Sequence, residues 1–143
     1  MSRIHTADVK ARIEAVSLLA SKTFVVLVKY PAPNEQTIVK APYAAIYPAN
    51  GTNTQARLTG PKLTQHPSWT VHIVGATVDM TTRLIEDVEA QFILGGFGIR
   101  PDIAGENPGR YEWSQPIPIQ YDSDVSPPLI YAVVEIDFYT EPA

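Results

Sequence analysis

Three histidines, fifteen carboxylates and no cysteine are the groups through which this chain of 143 residues could do acid–base, nucleophilic or metal chemistry. Without cysteine, thiolate catalysis and Cys-type zinc binding are excluded. His5, His66 and His72 never fall in the HxH, HxxxH or HExxH spacings that put two imidazoles on one metal. They are expected at the terminus, in a loop, and on the open face of a strand. No G-x-S-x-G nucleophile turn occurs. Asp122, Ser123 and Asp124 form a short acidic stretch, but it lacks the glycine and the terminal bidentate glutamate of a calcium loop. Glu86, Asp87 and Glu89 could pair as acid and base. On one helix face such a cluster is more often a surface turned to solvent or to another subunit. The glycine-rich residues 95–100, GGFGIR, follow a helical pattern instead of joining a strand to a helix, so they are not a dinucleotide cradle. The expectation is a protein that is not an enzyme and holds no metal or cofactor.

The elements that must position these groups follow from apolar periodicity. Val9, Ile13, Val16, Leu19 and Ala20 step by three and four, which predicts a surface helix over residues 6–21 with one buried stripe. Residues 24–28, FVVLV, are a continuous β-branched run that predicts a central strand covered on both faces. Residues 43–47 form a short strand closed by Pro48. A polar loop spans residues 50–66, beginning at the Asn50-Gly51 turn pair. Trp69, Val71 and Ile73 alternate with Thr70, His72 and Val74 in a further strand. Thr77 is positioned to cap a second helix, residues 78–94, whose stripe is Leu84, Ile85, Val88 and Phe92. Gly95-Gly96 is expected to stop that helix. A short strand is expected at residues 110–114, and residues 106–128 make a proline-rich arm. Residues 129–139 alternate cleanly, with Ile130, Ala132, Val134, Ile136 and Phe138 inward. The predicted fold class is α+β: a mostly antiparallel sheet of about four to five strands with two helices packed on one face, plus the proline-rich arm.

Length and composition agree with a single domain over residues 1–143, able to bury a core without disulfides. Thirteen prolines, clustered in connections, point to long ordered loops and not to long helices. No apolar run approaches the length of a membrane span, so no membrane partner is expected and the chain is placed in the cytoplasm when made. Net charge is −4, which argues mildly against generic nucleic-acid binding. Its distribution is uneven. Residues 1–72 hold eight Lys/Arg and three acids, a net +5, whereas residues 73–143 hold three arginines and twelve acids, a net −9. Either the halves neutralise each other within one fold, or a basic face of one subunit meets an acidic face of the next in a closed head-to-tail assembly.

The order of motifs resembles that of the tail terminator (tail-completion) proteins of long-tailed phages of actinobacteria. The residues that carry it are Pro42, Tyr43, Tyr47, Pro48, Gly51, Leu58, Gly60, Pro61, Val74, Gly75, Ala76, Thr77, Arg100 and Pro101, spread over about residues 41–106. Val78 stands where a helix-starting proline is frequent in that family, and the proline-rich arm after Glu106 is longer. The resemblance implies a virion structural protein at the tail–neck junction, assembled in the host cytoplasm. It implies a hexameric ring that caps the head-proximal end of the tail tube, stops tube polymerisation and meets the neck. Its implied partners are further copies of the chain, the tail tube protein and a neck or head-closure protein, with non-specific contact to DNA passing through the lumen. Other head-to-tail connector or head-closure components share this size and ring habit, and a small ligand-binding domain or enzyme is the remaining alternative. The candidate subunit or tube contacts are Arg57, Lys62 and His66 in the loop, Glu86, Asp87 and Glu89 on the second helix, and Tyr121, Asp122 and Asp124 in the arm.

Overall fold

The structure, a computed structural model, describes residues 3–25, 41–49, 53–55, 63–122 and 129–142. Helix α1 is Arg3–Glu14, followed by one 3-10 turn at Ser17–Leu19 and by strand β1, Thr23–Val25. Val9, Ile13, Val16 and Leu19 are buried, as their spacing predicts, but Ala20 is exposed. His5 joins that buried stripe one turn before Val9. The helix therefore starts earlier than residue 6 and ends seven residues before residue 21.

Strand β2 is Tyr43–Ala49, β3 is Asn53–Gln55, β4 is Leu63–Gln65 and β5 is Ser68–Gly75. Helix α2, Val78–Glu89, follows, then the short strands β6, Ile93–Leu94, and β7, Phe97–Gly98. The chain closes with β8, Glu106–Pro108, β9, Glu112–Ser114, β10, Gln120–Asp122, β11, Leu129–Asp137, and β12, Thr140–Pro142. The main sheet runs β1-β2-β5-β11-β10, with β9 also on β11. Every pairing in it is antiparallel except that of β1 with β2. This is the α+β architecture expected, with both helices supplying residues to the one apolar cluster on the sheet.

Strand parity decides which face is inner. Ala44, Ile46, Trp69, Val71, Ile73, Ala132, Val134 and Ile136 all belong to the core cluster, and the register sets Ala44 beside Ile73 beside Ala132. Leu84, Ile85 and Val88 of α2, and Phe92 just past its end, belong to the same cluster. Burying some twenty apolar side chains at roughly 1.5–3 kcal/mol each is the main source of stability. Thr77 caps α2 as predicted, accepting a hydrogen bond from Met80 N at 3.1 Å.

Several expectations are corrected. Of the predicted central strand at residues 24–28, the described part is β1, which pairs with β2 alone among the described residues and leaves Val25 40% exposed. Residues 26–28 of that run lie outside the described residues. The polar residues 50–66 hold a hairpin, β3 with β4, which joins β12 and β8 in a second, four-stranded sheet. Asn and Gln-rich strands of three residues give no apolar alternation to read. Residues 37–40, which the sequence would allow as a short edge strand in the connection before β2, lie outside the described residues.

The proline-rich segment also differs from a projecting arm over its described part. β8 pairs with β12, while β9 and β10 both run antiparallel to β11 on the same edge. Residues 112–122 thus form one edge strand with an interruption. Ser114 faces Glu135 and Gln120 faces Tyr131, so five residues, Gln115 to Ile119, bulge past three of β11.

Candidate functional site

Among the candidate contacts named from the sequence, Arg57, Lys62 and Asp124 lie outside the described residues. The others do not converge. His66 sits just before β5, where its Nε2 donates to Asp137 Oδ2 and its ring stacks on Tyr139 with centroids 4.0 Å apart. Glu86 and Asp87 are exposed on α2, and Glu89 is half-buried. Tyr121 is 65% exposed on β10, with Asp122 half-buried beside it.

The histidines are more engaged than their sequence neighbourhoods suggest. His5 is not a loose terminal residue: it is 1% exposed, its Nε2 donates to Glu106 Oε2 at 2.7 Å, and its ring meets Phe138 edge-on. Glu106 Oε1 also accepts from Thr140 Oγ1 at 3.4 Å. His72 occupies the sheet face opposite the helices, as expected, between the rings of Tyr47 and Tyr131. Burial there lowers its pKa, because the surrounding rings cannot solvate the imidazolium.

A second buried polar group ties α1 to the segment after α2. Tyr111, 1% exposed, donates its hydroxyl to Asp8 Oδ2, which also accepts from Arg12 Nε at 2.8 Å. Arg12 lies over the Tyr111 ring and reaches Gln91 O at 3.3 Å. Burial, and then the Asp8 carboxylate, push the Tyr111 phenol well above its ordinary range. On the same helix Thr6 Oγ1 accepts from Trp69 Nε1 at 3.1 Å. These groups are saturated by one another, and no buried side-chain nitrogen or oxygen among the described residues is without a partner. Such networks hold α1 in a fixed position against the segment after α2.

Among the described residues no group of three metal-ligating side chains comes together, and no helix is long and apolar enough to cross a membrane. A groove of about 340 Å³ lies over the second sheet, lined by Thr64, Arg100, Asn107, Tyr139, Thr140 and Glu141 among others. It is open to solvent and carries both a cation and an anion on its walls.

The exposed apolar groups are the more distinctive feature. Gly95-Gly96 does not terminate α2, which ends at Glu89; it forms the two-residue turn between β6 and β7. Both glycines have positive φ, 61° and 84°, the condition for a type I′ hairpin. Leu94 and Phe97 are the cross-strand pair next to that turn, 71% and 68% exposed. Ile93, one residue earlier and therefore on the other face, packs against the core. The hairpin base is clamped: Ile99 N donates to Phe92 O at 2.7 Å, Tyr111 N to Ile99 O at 3.0 Å, and Arg110 Nη1 to Gly98 O at 2.9 Å. A Cβ on Gly98 would overlap the carbonyl of Tyr111, so glycine is required for this close approach. The sequence signal was present in the pattern apolar, apolar, Gly, Gly, apolar, Gly, which reads as a hairpin once the helix is known to stop earlier.

No protein-family model matches the chain, and no curated protein matches it. The described residues thus offer two kinds of exposed surface around the core: the acids Glu86 and Asp87 of α2 and the apolar Leu94/Phe97 pair of the β6–β7 hairpin.

Proposed function

We propose that this chain is a ring-forming tail terminator, a virion structural protein that caps the head-proximal end of a phage tail tube, halts its polymerisation and joins the tail to the neck. The reading rests on the motif order over residues 41–106, and the strands β2 and β5 and the Thr77-capped α2 are consistent with it. The distribution of polar groups supports it. On α1, Lys10 pairs with Glu14 and Arg12 with Asp8, so these charges are used within the helix. The acids Glu86 and Asp87 of α2 are exposed, as a surface that meets another subunit requires.

The mechanism is surface matching. One face adds to the last tube ring, and the opposite face lacks what the next tube ring would need. Exposed ion pairs contribute little each, so shape and apolar contact carry the stability of the ring. The same surfaces would serve a head-closure or connector component. The deciding experiment adds purified protein to polymerising tail-tube protein and measures tube lengths by negative-stain electron microscopy. Tubes that stop growing, with density at one end, are the expected result; unaltered tube growth counts against the terminator reading and leaves the neck component standing.

A further inference from the structure

We propose that the groove over the second sheet binds one nucleotide whose base carries an amino group. The base stacks on Tyr139, its amino edge meets Glu141 and Asn107, and its phosphate pairs with Arg100. The proposal is independent of the tail reading.

The platform is a tyrosine held ready. Exposed side chains ordinarily change rotamer freely. Tyr139 is 53% exposed, yet one face of its ring lies on His66, with centroids 4.0 Å apart and planes within 11°. His66 is itself pinned at Nε2 by Asp137 Oδ2. The register accounts for the arrangement. Thr140 faces Gln65 on one side and Pro108 on the other, so Tyr139 falls between His66 and Gly109. Gly109 N donates to Tyr139 O at 2.6 Å, and glycine sets no side chain beside the ring. One ring face is covered by His66, and the other opens on the space above Gly109. A ring fixed before binding loses little conformational freedom when a flat group stacks on it.

Strand alternation places the polar groups. Glu141 shares the face of Tyr139 two residues further along, while Thr140 turns inward to Glu106. Asn107 faces Glu141 from β8, and the same register sets Thr64 of β4 on its other side. A hydroxyl, a carboxylate and an amide thus stand in one row across three strands, next to the row that holds the ring. A heterocycle with hydrogen-bonding groups on its edge can use that row, whereas a hydrocarbon ring cannot. An ionised carboxylate only accepts hydrogen bonds, so the edge that meets Glu141 must donate, as the amino group of guanine does.

Arg100 is exposed and lines the groove from outside the sheet. Its neighbour Ile99 accepts from Tyr111 N at 3.0 Å, which brings this segment alongside the one that holds Gly109. A guanidinium suits a phosphate, which it can grip with two parallel hydrogen bonds. The groove volume of about 340 Å³ is at the small end of ligand sites and fits one nucleotide unit. One arginine answers one phosphate, and a net charge of −4 works against the many backbone contacts of a long strand.

Isothermal titration calorimetry of the full chain with guanosine monophosphate tests this, with circular dichroism confirming that each variant is folded. Guanosine monophosphate should bind, and uridine monophosphate, which has no amino group, should bind more weakly. Tyr139→Ala should weaken binding about tenfold, whereas Tyr139→Phe, which keeps the ring, should not. Arg100→Gln should weaken the monophosphate and leave unphosphorylated guanosine unchanged. Glu141→Gln should narrow the preference for the guanine over the uracil nucleotide. A single-stranded oligothymidylate ending in a phosphorylated guanosine distinguishes the source: tighter binding than the mononucleotide assigns a strand end, and weaker binding assigns a free nucleotide. No binding at millimolar guanosine monophosphate, inorganic phosphate binding equally well, or affinity unchanged by Tyr139→Ala would overturn the proposal.

Discussion

His5 and Glu106, 101 residues apart, are joined by a hydrogen bond of 2.7 Å that fixes α1 to the four-stranded sheet. Because His5 is 1% exposed, removing its partner leaves a buried imidazole nitrogen without an acceptor. Glu106→Ala is expected to cost about 1–3 kcal/mol in urea unfolding. Adding His5→Phe should cost less than the two single losses together, since both halves of the pair are then gone. Additive losses would show that the pair is not coupled.

Tyr111 gives an alkaline signature. Its folded phenol titrates above the unfolded one, because burial and the Asp8 carboxylate disfavour the phenolate. Above pH 10 the unfolded chain has released a proton that the folded chain still holds, so stability falls as pH rises, by about 1.4 kcal/mol per unit for one group. Tyr111→Phe should flatten this decline in stability measured between pH 10 and 11, while losing the Asp8 bond at all pH values. An unchanged alkaline slope would locate the sensitivity elsewhere.

His72 gives the opposite arm. Burial between Tyr47 and Tyr131 places its folded pKa below the ordinary 6.5. The unfolded chain therefore takes up a proton first as pH falls through 6.5, and stability is lost until the folded pKa is passed. His72→Gln should reduce the drop in melting temperature between pH 7 and pH 5.5. A larger drop than wild type would contradict the assignment.

Two glycines of the β6–β7 hairpin should respond differently to alanine. Gly96→Ala forces a Cβ into positive φ and should cost about 1–2 kcal/mol. Gly98→Ala drives a Cβ into the Tyr111 backbone, which cannot yield as a side chain can, and should cost more. Thermal unfolding of the two variants side by side decides the order.

For Arg57 and Lys62, which lie outside the described residues, Arg57→Glu with Lys62→Glu should leave the circular dichroism spectrum of the folded chain unchanged. Docking to tail tubes should weaken. Unchanged tube-length control would remove the loop from the contact.

Much of the core was legible because both helices and β5 and β11 carry period-3.6 or period-2 apolar patterns long enough to decide. Leu84, Ile85, Val88, Phe92 and the inward series Ala132, Val134, Ile136, Phe138 are all buried. The second sheet was not legible, since β3, β4, β8 and β12 are three residues each and polar. His5 was misplaced because terminal position says nothing about a partner a hundred residues away. The hairpin was missed for a local reason: Phe92 continues the spacing of α2 although the helix has already ended, so the glycines looked like its stop.

The interrupted edge strand of residues 112–122 has a consequence for how copies of this chain can meet. Pro116 and Pro118 fall within the bulge that passes β11, and proline offers no N–H for a further ladder. The sheet on this side is closed to a strand arriving from another molecule, which would need an unbroken row of donors and acceptors. Growth by strand addition, the route that leads to unlimited fibres, is thereby blocked along this border.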